Sequence, residues 1–347
     1  MPCRAILLDG YVDEPSMLGV PPYLSPLARY SYGALRAAGW TVDYLTIDQL
    51  RDGARLPNAD MLSVIHGAIV PGKYLRGMPM SAREAASVAR SFAGTKVIGG
   101  AAVRFAGGAD EFADYDFAAK KDLDAMLWGL ASGDDAEDRW RTPKEWSRWA
   151  LAGAELAASH PDFPQPLVAE ADTSRGCVRY FCGGCSFCSE PSYGEPYFRP
   201  PEEIIAEICA LAKVGVENFR LGGQACIYSY MAGGVGETET PTPNVKALKQ
   251  LFEGVRRAAP NLKVLHLDNA NPAVIAAHPG ESRAATEILA EHCTSGNVLA
   301  LGMESADPAV IEANNLNATP EQVSFAVKML NEVGGRRGEN GLPALLP

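Results

Sequence analysis

Four times between residues 166 and 333 a short apolar run is followed by a stretch with helical spacing, and this alternation admits few architectures. The strand candidates are PLVAEADT (166–173), VENFRLGG (216–223), LKVLHLDN (262–269) and NVLALGME (297–304). The helix candidates span 201–214, 243–258, 282–292 and 319–333. Parallel neighbours need a crossover between them, so repeated βα units predict strands in parallel with helices outside, the repeat of a TIM-type barrel or part of one. Four units do not close a barrel, and GLPALLP (341–347) reads as the approach to another strand. An apolar last strand open at a sheet edge is a liability, so the sequence is expected to belong to a longer natural chain.

The first part alternates in the same way. CRAILLDG (3–10), TVDYLTID (41–48), MLSVIHGAIV (61–70) and KVIGGAAV (96–103) read as strands, and 26–40, 81–94 and 120–132 as helices. This predicts an α/β chain whose residues 1–132 form a Rossmann-like three-layer domain. Residues 133–165 are charged, tryptophan-rich and finally proline-punctuated. They read as a partly helical linker packed through Trp140, Trp146 and Trp149. The second domain then covers 166–347 as a partial, truncated barrel, incomplete at its C-terminal end.

With 42 acidic against 31 basic residues the formal charge is −11, so the global field opposes a nucleic acid partner. No run of about 18 apolar residues suggests a membrane span. The opening MPCRAILLDGYVDEPS reads as a strand and loop rather than a signal peptide. The expected location is the cytoplasm.

Four of the eight cysteines lie in TSRGCVRYFCGGCSFCSEP (173–191), spaced Cys177-x4-Cys182-x2-Cys185-x2-Cys188, directly after the first strand of the second alternation. That is where a barrel of this type builds its active site. A structural zinc site with four thiolates is one reading, although zinc knuckles usually pair two CxxC units across a longer loop. A closed four-cysteine iron–sulfur site is another: CGGCSFC matches the C-x2-C-x2-C run of bacterial ferredoxins, but Cys188 lacks the following proline. The third is a [4Fe–4S] cluster held by three cysteines with one iron left open.

On that third reading the chain resembles the radical S-adenosylmethionine (radical SAM) superfamily, in the branch with a cobalamin-binding-like N-terminal domain. The resemblance rests on SRGC…GGCSFC, on RLGGQ (220–224), on LGMESADPAVIEANN (301–315) and on NATPEQVSFAVKMLNEVG (317–334). It covers the chain well from about residue 166 and the first domain only in outline. The family's usual spacing is CxxxCxxC, from which this loop departs. Cys185 and Cys188 form the terminal pair of ligands. The RGC context favours Cys177 over Cys182 as the third, with VRYFCGG looping out between them. Were Cys182 also a ligand, no iron would stay open.

The resemblance implies that SAM chelates the open iron and is cleaved reductively to methionine and a 5′-deoxyadenosyl radical. A low-potential donor of the ferredoxin or flavodoxin type would supply the electron. Hydrogen abstraction follows, with methyl transfer as a candidate second step; the substrate is not legible. Arg175 and Arg179 would favour thiolates, or are plain surface charge. Gly222 and Gly223 would let the methionine ammonium reach backbone carbonyls, with Gln224 adding an amide, or merely turn the chain. Glu304 is the candidate partner for a ribose diol or an ammonium, and Ser305 beside it contacts SAM or caps the next helix. Asp268 ends its strand toward the same mouth, for ribose or for a turn. Phe187 is placed by the adenine or in ordinary packing.

Cobalamin is the cofactor often found in the first domain of the resembled branch. No Asp-x-His-x-x-Gly motif occurs here, VIHGA lacking the aspartate and the spacing. Cobalamin would bind without that histidine, or the domain keeps the fold without the cofactor. Methylthiotransferase relatives hold a second cluster on three N-terminal cysteines, and this domain has only Cys3. The contrasting class is a non-enzymatic metalloprotein with a closed zinc or iron–sulfur site.

Overall fold

The computed structural model describes residues 2–11, 24–67, 78–107 and 111–347. The chain divides into two compact units, Met1–Ala169 with Lys213–Val216, and Glu170–Ala212 with Glu217–Pro347. No helix among the described residues is long and apolar enough to cross a membrane.

In the first unit five strands form one parallel sheet: β1 (Arg4–Asp9), β2 (Thr41–Thr46), β3 (Met61–Ile65), β4 (Thr95–Gly99) and β5 (Phe117–Ala119). Their spatial order is β2-β1-β3-β4-β5, one of the two common doubly wound orders. β1 reads AILL without alternation because helices cover both faces of a parallel sheet. The helices are α1 (Pro26–Ala37), α2 (Ile47–Arg51), α3 (Ala82–Ser91), α4 (Ala101–Arg104), α5 (Leu123–Ser132) and α6 (Pro143–Ala152). On one face Ile6, Leu8, Leu62, Val64 and Ile98 pack with Ala85 and Ala89 of α3. Ala34 of α1, Ala125 of α5 and Trp149 of α6 form a separate cluster. Thr46, Ser81 and Thr142 start α2, α3 and α6 with capping boxes that satisfy otherwise orphaned backbone N–H groups.

One local expectation changes. The strand predicted over 96–103 stops at Gly99, because Gly100 takes φ 109° and turns the chain into α4. Of the strand predicted over 61–70, residues 68–70 lie outside the described residues. Residues 133–165 fall inside the first unit. Arg141 explains the attachment. Its guanidinium bonds Asp122 at 2.8 Å and lies 4.8 Å and 5.1 Å from the rings of Tyr30 and Trp146.

The second unit runs β6 (Ala169–Asp172), β7 (Ser174–Arg175), β8 (Tyr197–Phe198), α7 (Pro201–Val214), β9 (Asn218–Gly222), α8 (Val245–Ala258), β10 (Val264–Leu267), β11 (Asn269–Ala270), α9 (Pro272–Ala277) and α10 (Pro279–His292). It continues through β12 (Asn297–Val298), β13 (Ala300–Leu301), α11 (Pro308–Ala313), α12 (Pro320–Gly334) and β14 (Leu345–Leu346). β9 lies between β6 and β10, and β10 runs parallel to it. β11 pairs parallel with β13, and β12 with β14, the latter formed by the apolar run near the end of the sequence. The strand predicted over 297–304 is thus two short pieces broken at Leu299. Between β10 and β12 a side chain replaces part of the ladder: buried Asn297 Oδ1 accepts the Leu267 N–H at 2.7 Å.

Candidate metal centre

The cysteine loop leaves β7 and returns through β8, an antiparallel pair joining Ser174 to Phe198 and Arg175 to Tyr197 across its base. Gly176 turns the chain at φ 87°, and its N–H donates to Glu190 Oε2 at 3.0 Å. The insertion after Cys177 winds into one tight turn over Tyr180–Cys182 and then reverses at Gly183 and Gly184, φ 83° and 63°. Left-handed backbone suits glycine, which carries no Cβ. A second turn, with the Cys188 N–H donating to the Cys185 carbonyl at 3.0 Å, closes the CxxC. An asparagine pair from the loop before α12 holds this course. Asn315 Nδ2 donates to the carbonyls of Gly184 (2.7 Å) and Cys182 (3.1 Å), and Asn314 accepts from Ser186 through its carbonyl (3.0 Å) and Oδ1 (2.7 Å).

The four thiols are not in equal surroundings. Burial pushes Cys177 up to about 11, with the neighbouring Cys188 and Cys185 adding to the shift and Arg179 opposing it. Burial also raises Cys185; Arg179 opposes, while Glu304 and Cys182 push the same way as burial. Cys188 is raised by burial and by the charges of Glu190 and Cys185, against a backbone N–H bond from Glu190. Cys177, Cys185 and Cys188 therefore lie within charge range of one another, and Cys182 within range of Cys185. Cys182 turns its Sγ back onto the Arg179 carbonyl at 3.3 Å.

The residues predicted at the strand ends are brought to the chain's βα turns, most of them already engaged. Gly222 stands where a Cβ would meet Glu170 Oε1 at 1.9 Å, and Gly223, at φ 66°, where one would meet Asp172 Oδ1 at 2.6 Å. The Gly222 carbonyl accepts both the N–H (2.9 Å) and Oγ1 (3.2 Å) of Thr173. Buried Gln224 accepts from Thr173 Oγ1 at 2.9 Å and donates to the Leu221 carbonyl at 2.9 Å. Asp268 binds Arg220 through both carboxylate oxygens, with Nε–Oδ1 at 2.6 Å, and Glu170 lies 3.7 Å from the same guanidinium. Burial raises the Asp268 carboxyl and Arg220 opposes this. Ser305 Oγ accepts the Asp307 N–H at 3.1 Å in the turn that begins α11. Glu304 is exposed, with its charge close enough to act on Cys185. Phe187 is 64% exposed.

Sequence reasoning did not single out Arg220, Glu170, Thr173, Asn314, Asn315 or Glu239. Arg220 sits inside the quoted RLGGQ, and the Asn-Asn pair ends the quoted EANN. For Glu170 and Arg220 a charged residue embedded in an apolar strand run was the available signal; Asn314, Asn315 and Glu239 lie outside strands.

Among the described residues no group of three Cys, His, Asp or Glu side chains is placed ready to hold a metal ion. The donor chemistry nevertheless fits a thiolate-held group. Four thiols lie on one loop, Cys177, Cys182 and Cys185 half-buried and Cys188 exposed, and a guanidinium donates to Cys185. Buried thiols release their protons to a metal that replaces them.

A model of the radical SAM superfamily matches residues 172–346. The chain is also similar to an uncharacterized protein of Methanocaldococcus jannaschii, 46% identical over 99% of this chain and 66% of that protein. An uncharacterized protein of Archaeoglobus fulgidus is 38% identical over 99% of this chain and 63% of its own length. A third, from Methanopyrus kandleri, is 29% identical over 44% of this chain and 28% of its own. The chain thus spans about two thirds of the length of the first two relatives. Members of the matched superfamily generally use a [4Fe–4S] cluster and S-adenosylmethionine. With half of its residues matched, from the end of β6 through the cysteine loop to β14, the chain belongs to the radical SAM superfamily.

Proposed function

We propose that Cys177, Cys185 and Cys188 hold a [4Fe–4S] cluster with one open iron, and that Cys182 rides on the inserted turn. The observation that carries this is that Cys182 Sγ donates to the Arg179 carbonyl at 3.3 Å, whereas Cys177 and Cys185 Sγ accept from Arg179 donors at 3.4 Å and 3.2 Å. When bound, such a cluster and SAM supply reductive cleavage of the sulfonium to methionine and a 5′-deoxyadenosyl radical. The chain's own residues position and shield. Arg179 offers a donor to Cys185, Glu304 presents a carboxylate beside the loop for an ammonium or a diol, and Asp268 with Arg220 forms a fixed ionic floor at the ends of β9 and β10. Gly222 and Gly223, carrying no Cβ, let the carboxylates of Glu170 and Asp172 lie directly against this turn.

In this reading the second unit is the first part of a TIM-type barrel, its parallel strands following chain order. In open parallel sheets of this order ligands bind at the carboxyl ends of the strands. Cobalamin there, with methyl transfer on an unidentified substrate, is one form of the proposal; a cofactor-free domain is the other. A low-potential ferredoxin or flavodoxin would deliver the electron in the cytoplasm.

Anaerobic purification of the chain tests the reading. A brown protein containing iron and sulfide, which forms 5′-deoxyadenosine from SAM and dithionite, is the expected outcome; a colourless zinc protein would refute it. Alanine at Cys177, Cys185 or Cys188 abolishes cluster binding, and Cys182→Ala retains it. Cluster loss in Cys182→Ala with retention in Cys177→Ala would reverse the assignment.

A further inference from the structure

The side chain of Arg179 is 3% exposed, and it brings a full positive charge among the thiols of the loop. Nη1 donates to Cys185 Sγ at 3.2 Å and the backbone N–H to Cys177 Sγ at 3.4 Å, while the carbonyl accepts from Cys182 Sγ at 3.3 Å. One residue thus touches three of the four sulfurs. The rest of the guanidinium is fixed from two other loops. Nε donates to Glu239 Oε2 at 2.6 Å, and Nη2 to the carbonyl (2.8 Å) and Oδ1 (3.2 Å) of Asn315. Asn315, at φ 50°, in turn holds Gly184 and Cys182, so the cation and the loop share one clamp.

This arrangement comes from the inserted residues between Cys177 and Cys185, which place an arginine inside the ring of ligands. Burying a guanidinium is costly unless its donors are met. Here one of those donors is directed at a thiol. A thiolate-bound cluster gains one negative charge when it takes an electron. A fixed cation at hydrogen-bond distance from a ligand sulfur stabilises that reduced state, and net charge and hydrogen bonds to sulfur are the protein's levers on cluster potential.

We propose that Arg179 is a positioning residue that raises the reduction potential of the cluster, with the half-exposed carboxylate of Glu239 moderating its charge from the solvent side. The proposal rests on the three-cysteine reading above. Its test has a readout separate from activity. The full chain is reconstituted anaerobically with ferrous iron and sulfide, its iron content is measured, and the cluster is titrated with dithionite at controlled potential by electron paramagnetic resonance.

Arg179→Gln is expected to keep iron and shift the midpoint to a more negative potential, while Arg179→Lys stays nearer the wild type. Glu239→Gln is expected to give a smaller shift the opposite way. An iron-loaded Arg179→Gln protein at the wild-type midpoint overturns the proposal. Should that variant load no iron, an unmoved midpoint in Glu239→Gln overturns it instead. Wild-type protein without iron sinks the three-cysteine reading and this inference with it, a result distinguished by iron content alone.

Discussion

A single missing Cβ shows how tightly the strand ends are built. Gly222 has Glu170 Oε1 where a methyl group would go, and Glu170 is itself held near Arg220. Overpacking of this kind costs about 1–3 kcal/mol. Gly222→Ala should therefore lower the unfolding free energy by that amount, seen as a lower denaturant midpoint, and an unchanged midpoint would mean that Glu170 moves aside freely. A larger loss is expected at Glu207, whose carboxylate meets Arg199 at 2.6 Å with both side chains fully buried. Removing one partner of a buried pair costs about 3–5 kcal/mol, whereas the exposed Arg283–Glu332 pair should contribute under about 1 kcal/mol. Denaturation of Glu207→Ala beside Glu332→Ala checks the contrast. At this scale the sequence revealed residue types but not partners. Asp268, Gln224 and Ser305 were legible as polar groups at strand ends. That Arg220, Thr173 and Asp307 engage them depends on register and loop return.

Among the elements, α1 and α6 approach so closely that a Cβ on Gly33 would lie 2.0 Å from the Trp149 carbonyl oxygen, and one on Gly153 2.1 Å from the Arg29 carbonyl oxygen. Backbone atoms cannot rotate away as a side chain can. In an open helix Gly→Ala gains about 1 kcal/mol. Gly33→Ala should instead be destabilising by about 1–3 kcal/mol, and a raised thermal midpoint would contradict the close crossing. Helix positions were largely readable because apolar spacing is a local signal. β12 and β13 were not readable as two pieces. Their break at Leu299 goes with Asn297 bonding Leu267 across to β10, a contact 30 residues distant.

For the molecule as a whole, acid sensitivity should arise in part from the first unit. Burial lowers His160 to about 4 from 6.5, and its Nδ1 accepts the Asp162 N–H at 3.1 Å, which requires that nitrogen unprotonated. The unfolded chain takes up a proton below about pH 6.5 that the folded chain refuses until about 4. Stability is therefore lost as pH falls through that window, on the order of 3 kcal/mol in total. Denaturation of the wild type and of His160→Phe from pH 7 to pH 4 should show a shallower decline in the variant; equal slopes would assign the loss elsewhere. By itself the sequence determined the order of βα units, the covered parallel sheet of the first unit and the cysteine loop after β6. Periodicity and spacing are properties of neighbouring residues. Only the tertiary structure decided that Arg179 meets Cys185 and Asn315, and that Arg220 meets Asp268. Such pairs join positions as far as 136 residues apart, and their geometry depends on strand register and on where loops return.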